Sequence, residues 1–303
     1  MEDVLILTHR RPDGDTIGCA CALCLALRQL GKTAWVLPNE DAHGLFTPYF
    51  EGVLAPAEFV PQFVVSVDTA ALGMLPGSGK AYADRIDLAI DHHPSQEFFA
   101  RETCLDAGRA ACGELIYDIA GLLGPVTREM AVPLYVAVST DTGCFVYGNT
   151  TADTHRTAAA LMETGIPAAE LNKRHFRTKT LKRLRIESRI VEGMELFDGG
   201  ETAVAAVDLA MVAQLGADER DLEDIASFVG QVEGVKNAIT IRELRPGTCK
   251  LSLRTDPEVL NASRVCALLG GGGHAAASGA TVEGSVEEAK RAILWAIEQV
   301  RHG

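Results

Sequence analysis

The sequence predicts an α/β protein in which a doubly wound, mainly parallel sheet is joined by a helical linker to a smaller α/β domain. Short apolar runs rich in Val, Ile and Leu alternate with helix-like stretches, which is typical of buried parallel strands. A length of 303 residues also favours two domains. The strands predicted in the first half are Val4–Leu7, Ala34–Leu37, Phe63–Val67, Leu88–Ile90 and the end of Ala131–Val138.

Helices are predicted from apolar periodicity and from start and stop signals. In the first half they cover residues 16–30, 112–123 and 152–163, and residues 168–196 form one long helical stretch. The domain boundary is placed within that stretch, which gives domains 1–190 and 191–303. The second domain has strands Thr202–Val207, Ala238–Glu243, Lys250–Arg254 and Ala280–Val282 and helices Leu222–Val229, Pro257–Leu268 and Ser285–Val300. Ser285 and Glu288 form a capping box at the start of the last helix.

Composition and charge restrict the class of partner. The chain is 47% apolar with a net charge of −13, so it is an ordinary globular protein and a poor binder of long duplex nucleic acid. A short anion bound beside metal ions remains compatible with this charge. No apolar stretch approaches the roughly 18 residues of a membrane span, and the N-terminal residues lack a basic signal-peptide region. Eight cysteines fit reduced thiols, so we expect a cytoplasmic protein without a membrane partner.

Acidic and imidazole side chains follow the predicted strands, at the edge of the sheet where ligands bind. The donor atoms of these side chains are oxygen and nitrogen, with no thiolate sulfur. Such a set favours Mn²⁺, Mg²⁺ or Co²⁺ over structural zinc. The candidate ligands are His9, Asp13, Asp15, Asp68, His92 and Asp141, with Asp91 and His93 beside them. Asp13 and Asp15 are separated by one residue, so their side chains project to opposite sides. This arrangement suits two ions, which Asp68 can bridge. Two such ions about 3.5–4 Å apart clamp a phosphoryl group and activate a water molecule.

Four segments resemble the motifs of the DHH phosphoesterase superfamily. They are His9-Arg-Arg-Pro-Asp13-Gly-Asp15, Val67-Asp68, Asp91-His92-His93 and Ser139-Thr-Asp141-Thr-Gly143. The segment Gly270-Gly271-Gly272-Gly273-His274-Ala-Ala-Ala-Ser278-Gly279 resembles the glycine-rich signature of the associated DHHA1 domain. The five motifs occur in the expected order over nearly the whole chain. Length and layout most resemble the stand-alone oligoribonuclease (nano-RNase) and phosphoadenosine-phosphate phosphatases.

The resemblance implies roles for these residues. His9, Asp13 and Asp68 would hold one Mn²⁺ ion, and Asp15, Asp68, His92 and Asp141 a second. Catalytic roles fall to Asp68, to His93, which would contact the scissile phosphate, and to Asp91, which would orient its neighbours. Arg254 would grip a terminal phosphate or the nucleotide together with Gly271, Gly272, Gly273 and His274. Without the ligand cluster and the resemblance, a flexible connector is the favoured interpretation of the glycine run. Arg242 is a weaker candidate than Arg254.

Two further features have no settled role in the sequence. Relatives often have hydroxyl residues in the segment that here contains Arg109, so Arg109 is a candidate to contact substrate in their place. The basic stretch 173–189 either attracts a nucleic-acid backbone or forms a solvated helix face.

We therefore expect a Mn²⁺-dependent phosphohydrolase that acts on short single-stranded RNA and on the nucleotide bisphosphate 3′-phosphoadenosine 5′-phosphate. One alternative is a phosphodiesterase for cyclic or linear dinucleotides, which would use the same catalytic residues. Another is a nucleotide-sensing module without catalysis. Inorganic pyrophosphatases and RecJ-type exonucleases are less favoured, because of the glycine-rich motif and the chain length. The sequence leaves open cleavage polarity and whether the protein is a homodimer.

Overall fold

The chain forms two compact units, Met1–Thr178 and Lys179–Gly303. The computed structural model describes residues 2–42, 44–222 and 225–302. The units divide earlier than the boundary expected at residues 190–191. The helix that follows residue 180 belongs to the second unit, because Ile186 and Ile190 share an apolar core with Val207. Over the described ranges, no helix has the length and apolar character needed to cross a membrane.

The first unit contains a parallel sheet with helices packed on it. Its strands are β1 (Val4–Leu7), β2 (Ala34–Val36), β3 (Phe63–Val67), β4 (Leu88–Asp91) and β5 (Glu102–Leu105). Its helices are α1 (Gly14–Gln29), α2 (Cys112–Leu123), α3 (Arg128–Asp141), α4 (Ala152–Glu163) and α5 (Ala168–Asn172). The strand order is β2-β1-β3-β4-β5. The order reverses between β1 and β3, so a crevice is expected at the carboxyl ends of these two strands.

Helix α1 lies at the centre of the first unit and is buried on nearly all sides. Cys19, Cys21 and Cys24 are buried in the apolar core with free thiols, so they are small core residues. The helix approaches α3 very closely at Gly18. A Cβ atom built on Gly18 would lie 2.3 Å from the carbonyl oxygen of Pro133. Since that oxygen belongs to the backbone, the two helices would have to separate to admit even a methyl group.

We therefore expect Gly18→Ala to lower the free energy of unfolding by about 1–3 kcal/mol, the usual cost of overpacking a core. The matched control is Gly121→Ala in α2, where no atom lies within 4 Å of the added Cβ. Alanine is the better helix former there, so this variant should gain about 0.5–1 kcal/mol. Urea denaturation followed by circular dichroism measures both values. Equal stabilities of the two variants would contradict the close contact.

The structure corrects the prediction for Ala131–Val138. This segment was expected to begin as helix or loop and to end as a strand, but it lies entirely inside helix α3. Thr127 caps the helix by accepting a hydrogen bond from the backbone N–H of Met130. Ala131, Leu134 and Val138 are all fully buried. A helix buried on all sides has no polar face, so its sequence resembles that of a buried strand.

The long helical stretch predicted for residues 168–196 is also interrupted. Helix α5 ends at Asn172, a π-helical turn covers Lys173–Arg177, and helix α6 spans Leu181–Glu192. Thr180 caps α6 by accepting a hydrogen bond from the backbone N–H of Arg183. The threonine cap therefore marks a true helix start. Strand β5 was not predicted, because its four residues alternate exposed and half-buried at the edge of the sheet.

The second unit is built on a mixed sheet in the order β10-β11-β9-β8-β7-β6. Its strands are β6 (Glu195–Phe197), β7 (Thr202–Val207), β8 (Asn237–Arg245), β9 (Thr248–Thr255), β10 (Gly272–Gly273) and β11 (Ala277–Glu283). Beside α6, its helices are α7 (Leu209–Leu215), α8 (Ile225–Phe228), α9 (Ala262–Ala267) and α10 (Val286–His302). The pair β7–β8 is parallel and the other pairs are antiparallel. The predicted α/β class of both domains is confirmed.

Three helix predictions in the second unit have different outcomes. The capping box is confirmed: Ser285 N donates to Glu288 Oε2 at 2.7 Å and Glu288 N donates to Ser285 Oγ at 3.3 Å. The helix expected from Pro257 begins only at Ala262, because Asn261 caps it. Of the helix expected over Leu222–Val229, the structure describes α8, and residues 223–224 lie outside the described residues.

Candidate functional site

The turn between β1 and α1 carries the first three candidate ligands. His9 follows β1, and Asp13 caps α1, accepting hydrogen bonds from the backbone N–H groups of Asp15 (3.1 Å) and Thr16 (3.2 Å). Gly14 lies against Thr140 of α3, where an added Cβ would lie 2.3 Å from the threonine Oγ1. The glycine therefore allows this turn to pack directly on the end of α3.

Asp15 is buried and connects α1 to the start of α2. Its Oδ2 accepts a hydrogen bond from Cys112 N at 2.7 Å, and its Oδ1 accepts one from Gly113 N at 2.9 Å. The thiol of Cys19 also donates to Oδ1, at 3.2 Å. The carboxylate thus satisfies free amides at the N-terminus of α2, where negative charge is favourable. These donors hold Asp15 in one orientation.

Asp68 lies at the centre of the site, directly after β3. Its backbone is in the left-handed region (φ 54°), and the residue is 2% exposed. Its Oδ2 is 3.6 Å from His9 Nε2, and its Oδ1 is 3.5 Å from His92 Nε2. Oδ1 is buried and accepts no hydrogen bond in the described structure. A buried carboxylate oxygen without a hydrogen-bond donor is costly unless a cation is bound there.

The ring orientation of two histidines is fixed by backbone carbonyls. His9 Nδ1 is 2.8 Å from the carbonyl oxygen of Arg10, and His92 Nδ1 is 3.1 Å from that of Arg109. Since a carbonyl only accepts, the neutral form of each ring carries its proton on Nδ1. Each Nε2 therefore faces the carboxylates, and it becomes a metal ligand when the ring is neutral.

Asp91 and His93 form a hydrogen-bonded pair at the end of β4. Asp91 is fully buried, and its Oδ1 accepts a hydrogen bond from His93 Nδ1 at 2.7 Å. The side chain of His93 is 32% exposed, whereas that of His92 is 11% exposed. His93 is thus held at one nitrogen while its ring stays open to solvent.

Asp141 reaches the site from a different kind of element than expected. It is the last residue of helix α3, whereas the sequence placed it after a strand. Its Oδ2 still lies 3.4 Å from His92 Nε2. The structure therefore brings together all six residues proposed as ligands, although one of them comes from a helix.

Charge is concentrated in this cluster, and it shifts the pKa values of its members. Burial lowers the pKa of His9, but pairing with Asp13 and Asp68 outweighs burial and raises it to about 11. Burial is likewise outweighed at His92, where Asp68 and Asp15 raise the pKa to about 10. Burial raises the pKa of Asp141 to about 7. The charge of His92 acts to lower this pKa, and the charge of Asp68 acts to raise it. The cluster thus holds more negative charge than its histidines neutralise.

Further pKa shifts have the same origin. Burial, followed by the charges of Asp68 and Asp141, raises the pKa of Asp15. Burial also acts to raise the pKa of Asp68, but the imidazoles of His9 and His92 that face its carboxylate lower it below its ordinary range. For His93, the hydrogen bond to Asp91 raises the pKa against burial.

A divalent cation fits these donors. Three groups have ligand atoms within 4.8 Å of one another: His9 with Asp13 and Asp68, Asp15 with His92 and Asp141, and Asp68 with His92 and His93. The unpaired oxygen of Asp68, the free Nε2 atoms and the crowded carboxylates all favour bound positive charge. Asp68 belongs to two of these groups, which suits a ligand shared between two ions.

The second unit holds the candidate substrate residues. Arg254 of β9 pairs in register with Ala277 of β11, and Ala277 exchanges backbone hydrogen bonds with His274 (2.8 and 3.2 Å). Gly271 and Gly273 are required by close packing, since an added Cβ would lie 2.2 Å from Gly279 O and 2.7 Å from Ala277 O, respectively. The glycine run, which includes Gly272 of β10, is thus an ordered turn at the side of Arg254.

Arg109 and Arg242 are both paired with acidic groups. The guanidinium of Arg109 lies 3.2 Å from Asp106, 3.5 Å from Glu114 and 2.6 Å from Asp118. Arg242 pairs with Glu219. A contact of Arg109 with substrate stays a prediction. In the structure, the backbone carbonyl of Arg109 accepts the hydrogen bond from His92 Nδ1.

Sequence reasoning missed the backbone carbonyls at residues 10 and 109 and the side chain of Gln96. Gln96 donates to Asp91 Oδ2 at 2.6 Å. Backbone acceptors leave no signal in the side chains, and a single glutamine in a loop has no characteristic pattern. The DHH segment itself could have indicated a partner such as Gln96, since the carboxylate of a buried Asp91 needs hydrogen-bond donors for both of its oxygens.

The first unit has a cluster of candidate metal ligands at the strand-order reversal of its parallel sheet. The second unit has a glycine turn beside an arginine. Together these features define the class of the protein as a two-domain phosphoesterase. The family model for the DHH family, N-terminal domain, matches residues 3–138, and the model for the DHHA1 domain matches residues 201–302. The chain belongs to the DHH/DHHA1 phosphoesterase family and is a hydrolase of phosphoester bonds. The alternative of a sensing module without catalysis is therefore set aside.

Curated relatives match along almost the whole chain. The bifunctional oligoribonuclease and PAP phosphatase NrnA of Thermus thermophilus is 32% identical over 98% of this chain and 89% of its own. The protein of the same description from Bacillus subtilis is 23% identical over 96% of this chain and 93% of its own. An exopolyphosphatase-related protein from Bacteroides fragilis has the same fold, with a TM-score of 0.88 and 23% identity. The match covers 99% of this chain and 92% of that protein's chain.

Proposed function

We propose that this enzyme cleaves short oligoribonucleotides to nucleoside monophosphates and converts 3′-phosphoadenosine 5′-phosphate to AMP, with Mn²⁺ as its cofactor. The observation that carries the substrate class is the near full-length similarity to the NrnA relative of Thermus thermophilus. The cluster around Asp68 supports the chemistry, because it combines hard oxygen donors with two free imidazole nitrogens. All eight cysteines are free thiols, which favours a cytoplasmic location.

Two ions would be held by this chain's own residues. His9, Asp13 and Asp68 would form one site, and Asp15, His92, Asp141 and the shared Asp68 the other. When bound, such ions neutralise charge on phosphoryl oxygens and lower the pKa of water towards neutrality. The protein's part is to hold the donors in place: backbone amides and the Cys19 thiol fix Asp15, and backbone carbonyls fix His9 and His92.

His93 is the residue assigned to the reacting phosphate. Its Nδ1–H is donated to Asp91, so Nε2 is left to donate to a phosphate oxygen or to the leaving oxygen. Asp91 stabilises the protonated ring, in line with the raised pKa of His93. The imidazole can thus supply a proton as the phosphoester bond breaks.

Arg254 is proposed to bind a phosphate group of the substrate. We expect Arg254→Ala to raise KM for the bisphosphate by roughly 10–100-fold, since a charge-assisted hydrogen bond is worth about 1.5–3 kcal/mol, while kcat changes less. Arg245→Ala is the matched control, because Arg245 is an exposed arginine of the neighbouring strand β8. Steady-state kinetics separates the two constants. An unchanged KM would remove Arg254 from the substrate site.

The substrate proposal is tested with a panel of compounds and purified protein supplied with Mn²⁺. The panel contains di- to pentaribonucleotides, the bisphosphate, cyclic dinucleotides and linear pApA, with products separated by chromatography. Release of mononucleotides from short RNA and of AMP from the bisphosphate is expected. Faster turnover of cyclic dinucleotides than of either substrate would favour the dinucleotide phosphodiesterase alternative. Equal rates with Mg²⁺ or Co²⁺ would contradict the choice of manganese.

A further inference from the structure

Gln96 lies in the loop after β4 and is 5% exposed. Its side-chain nitrogen donates to Asp91 Oδ2 at 2.6 Å and to the carbonyl oxygen of Thr69 at 2.9 Å. Its side-chain oxygen accepts a hydrogen bond from the backbone N–H of Phe98 at 3.1 Å. Both ends of the amide are thus used in a buried setting, where each unmade bond would be costly.

The first of these bonds completes the surroundings of Asp91. The Oδ1 atom of Asp91 accepts from His92 N at 2.8 Å, from His93 N at 3.2 Å and from His93 Nδ1 at 2.7 Å. The Oδ2 atom accepts from Gln96. The terminal torsion of an aspartate is broad, so hydrogen bonds have to fix the plane of its carboxylate. Gln96 holds the oxygen opposite to the one that His93 uses.

The second bond ties together the ends of two strands. Thr69 follows Asp68 directly after β3, and Gln96 follows the DHH segment after β4. One amide group therefore connects the segment that carries Asp68 to the carboxylate that orients His93. A backbone bond from Glu97 N to Ala70 O (2.8 Å) runs alongside it.

We propose that Gln96 is a positioning residue for phosphoester hydrolysis, which locks the carboxylate of Asp91 so that His93 presents Nε2 to the substrate. The inference rests on the proposed function for its substrate and for the role of His93. The competing explanation is that Gln96 only anchors the loop at Phe98, whose backbone is left-handed (φ 53°).

Two substitutions separate these explanations. Gln96→Met keeps the length and removes all three hydrogen bonds. Gln96→Glu keeps the acceptor for Phe98 N but places an oxygen against Asp91 Oδ2. If the bond to Asp91 matters, both variants lower kcat roughly 10–100-fold, the usual effect of losing a residue that orients a site. KM and the Mn²⁺ dissociation constant from calorimetry should stay close to the wild-type values, since Gln96 contacts Asp91, Thr69 and Phe98 and none of the six candidate ligands. Gln214→Met, at an exposed glutamine of the second unit, is the control.

A spectroscopic measurement reports on His93 without any substrate. In protein with ¹⁵N-labelled histidine, the Nδ1 proton of His93, assigned by its loss in His93→Gln, should give a downfield signal. We expect both Gln96 variants to lose or shift this signal, while thermal denaturation shows that they remain folded. Wild-type kcat together with an unchanged His93 signal in Gln96→Glu would overturn the inference in favour of loop anchoring. Failure of the wild type to turn over the substrates would instead count against the proposed function, and the His93 signal would still decide the role of Gln96.

Discussion

Replacement of Asp68 by asparagine is expected to lower kcat on the bisphosphate by about a thousandfold or more, which corresponds to ~4 kcal/mol of transition-state stabilisation. Asp68 lies within 3.6 Å of both His9 and His92, and it is shared by two of the groups able to hold a cation. An amide is neutral and has one oxygen instead of two. The variant should therefore also bind Mn²⁺ much more weakly, as measured by calorimetry.

The matched control for this variant is Asp84→Asn, which changes an exposed aspartate of the same unit. It should keep wild-type kcat and Mn²⁺ affinity. The folded state of both variants is checked by circular dichroism. An Asp68→Asn protein with full turnover would contradict the placement of the catalytic centre at this carboxylate.

The second large effect is expected at His93. His93→Gln should lower kcat by about 10²–10⁴-fold, the usual contribution of a general acid or base, because glutamine cannot supply a proton. Mn²⁺ affinity should remain within a few-fold of wild type, since the Nδ1 of His93 is occupied by Asp91. His302→Gln, at an exposed histidine of α10, is the control.

The two variants together test whether His93 is a metal ligand. His93 lies in one of the three candidate groups, with its Nδ1 3.6 Å from Asp68 Oδ1. A loss of Mn²⁺ affinity as large as that of Asp68→Asn would place His93 among the ligands. Its assignment to the reacting phosphate would then be wrong.

The sequence predicted the central part of the fold because apolar runs and polar strand ends coincide there. Strands β1 and β3 match the predicted Val4–Leu7 and Phe63–Val67, and the candidate ligands after them lie close together in space. Parallel strands require their carboxyl ends to share one edge, so this part of the site follows from topology.

Asp141 shows where that reasoning fails. The residue was placed at a strand end, yet it belongs to helix α3, which is buried against α1 and α2. Patterns of period 2 or 3.6 arise only when one face meets water, so a fully buried element does not reveal its type. Its position near His92 depends on helix packing, including the close contact at Gly18, which no local pattern records.

The hydrogen bonds that orient the site were equally hidden. Gln96 contacts Asp91 only because the loop after β4 turns back on the end of β3. Hydrogen bonds of this kind depend on loop conformation, and the side chains that form them have no required spacing.

The use of main-chain oxygens to hold His9 and His92 makes the tautomer of each ring independent of the side chains at positions 10 and 109. Substitutions at either arginine can alter the surface charge or the affinity for an anion without resetting which imidazole nitrogen carries hydrogen. Changes of the side chain at these two positions should therefore preserve the metal-binding tautomers of His9 and His92. A change that shifts the backbone, such as a proline or a deletion, should disrupt them.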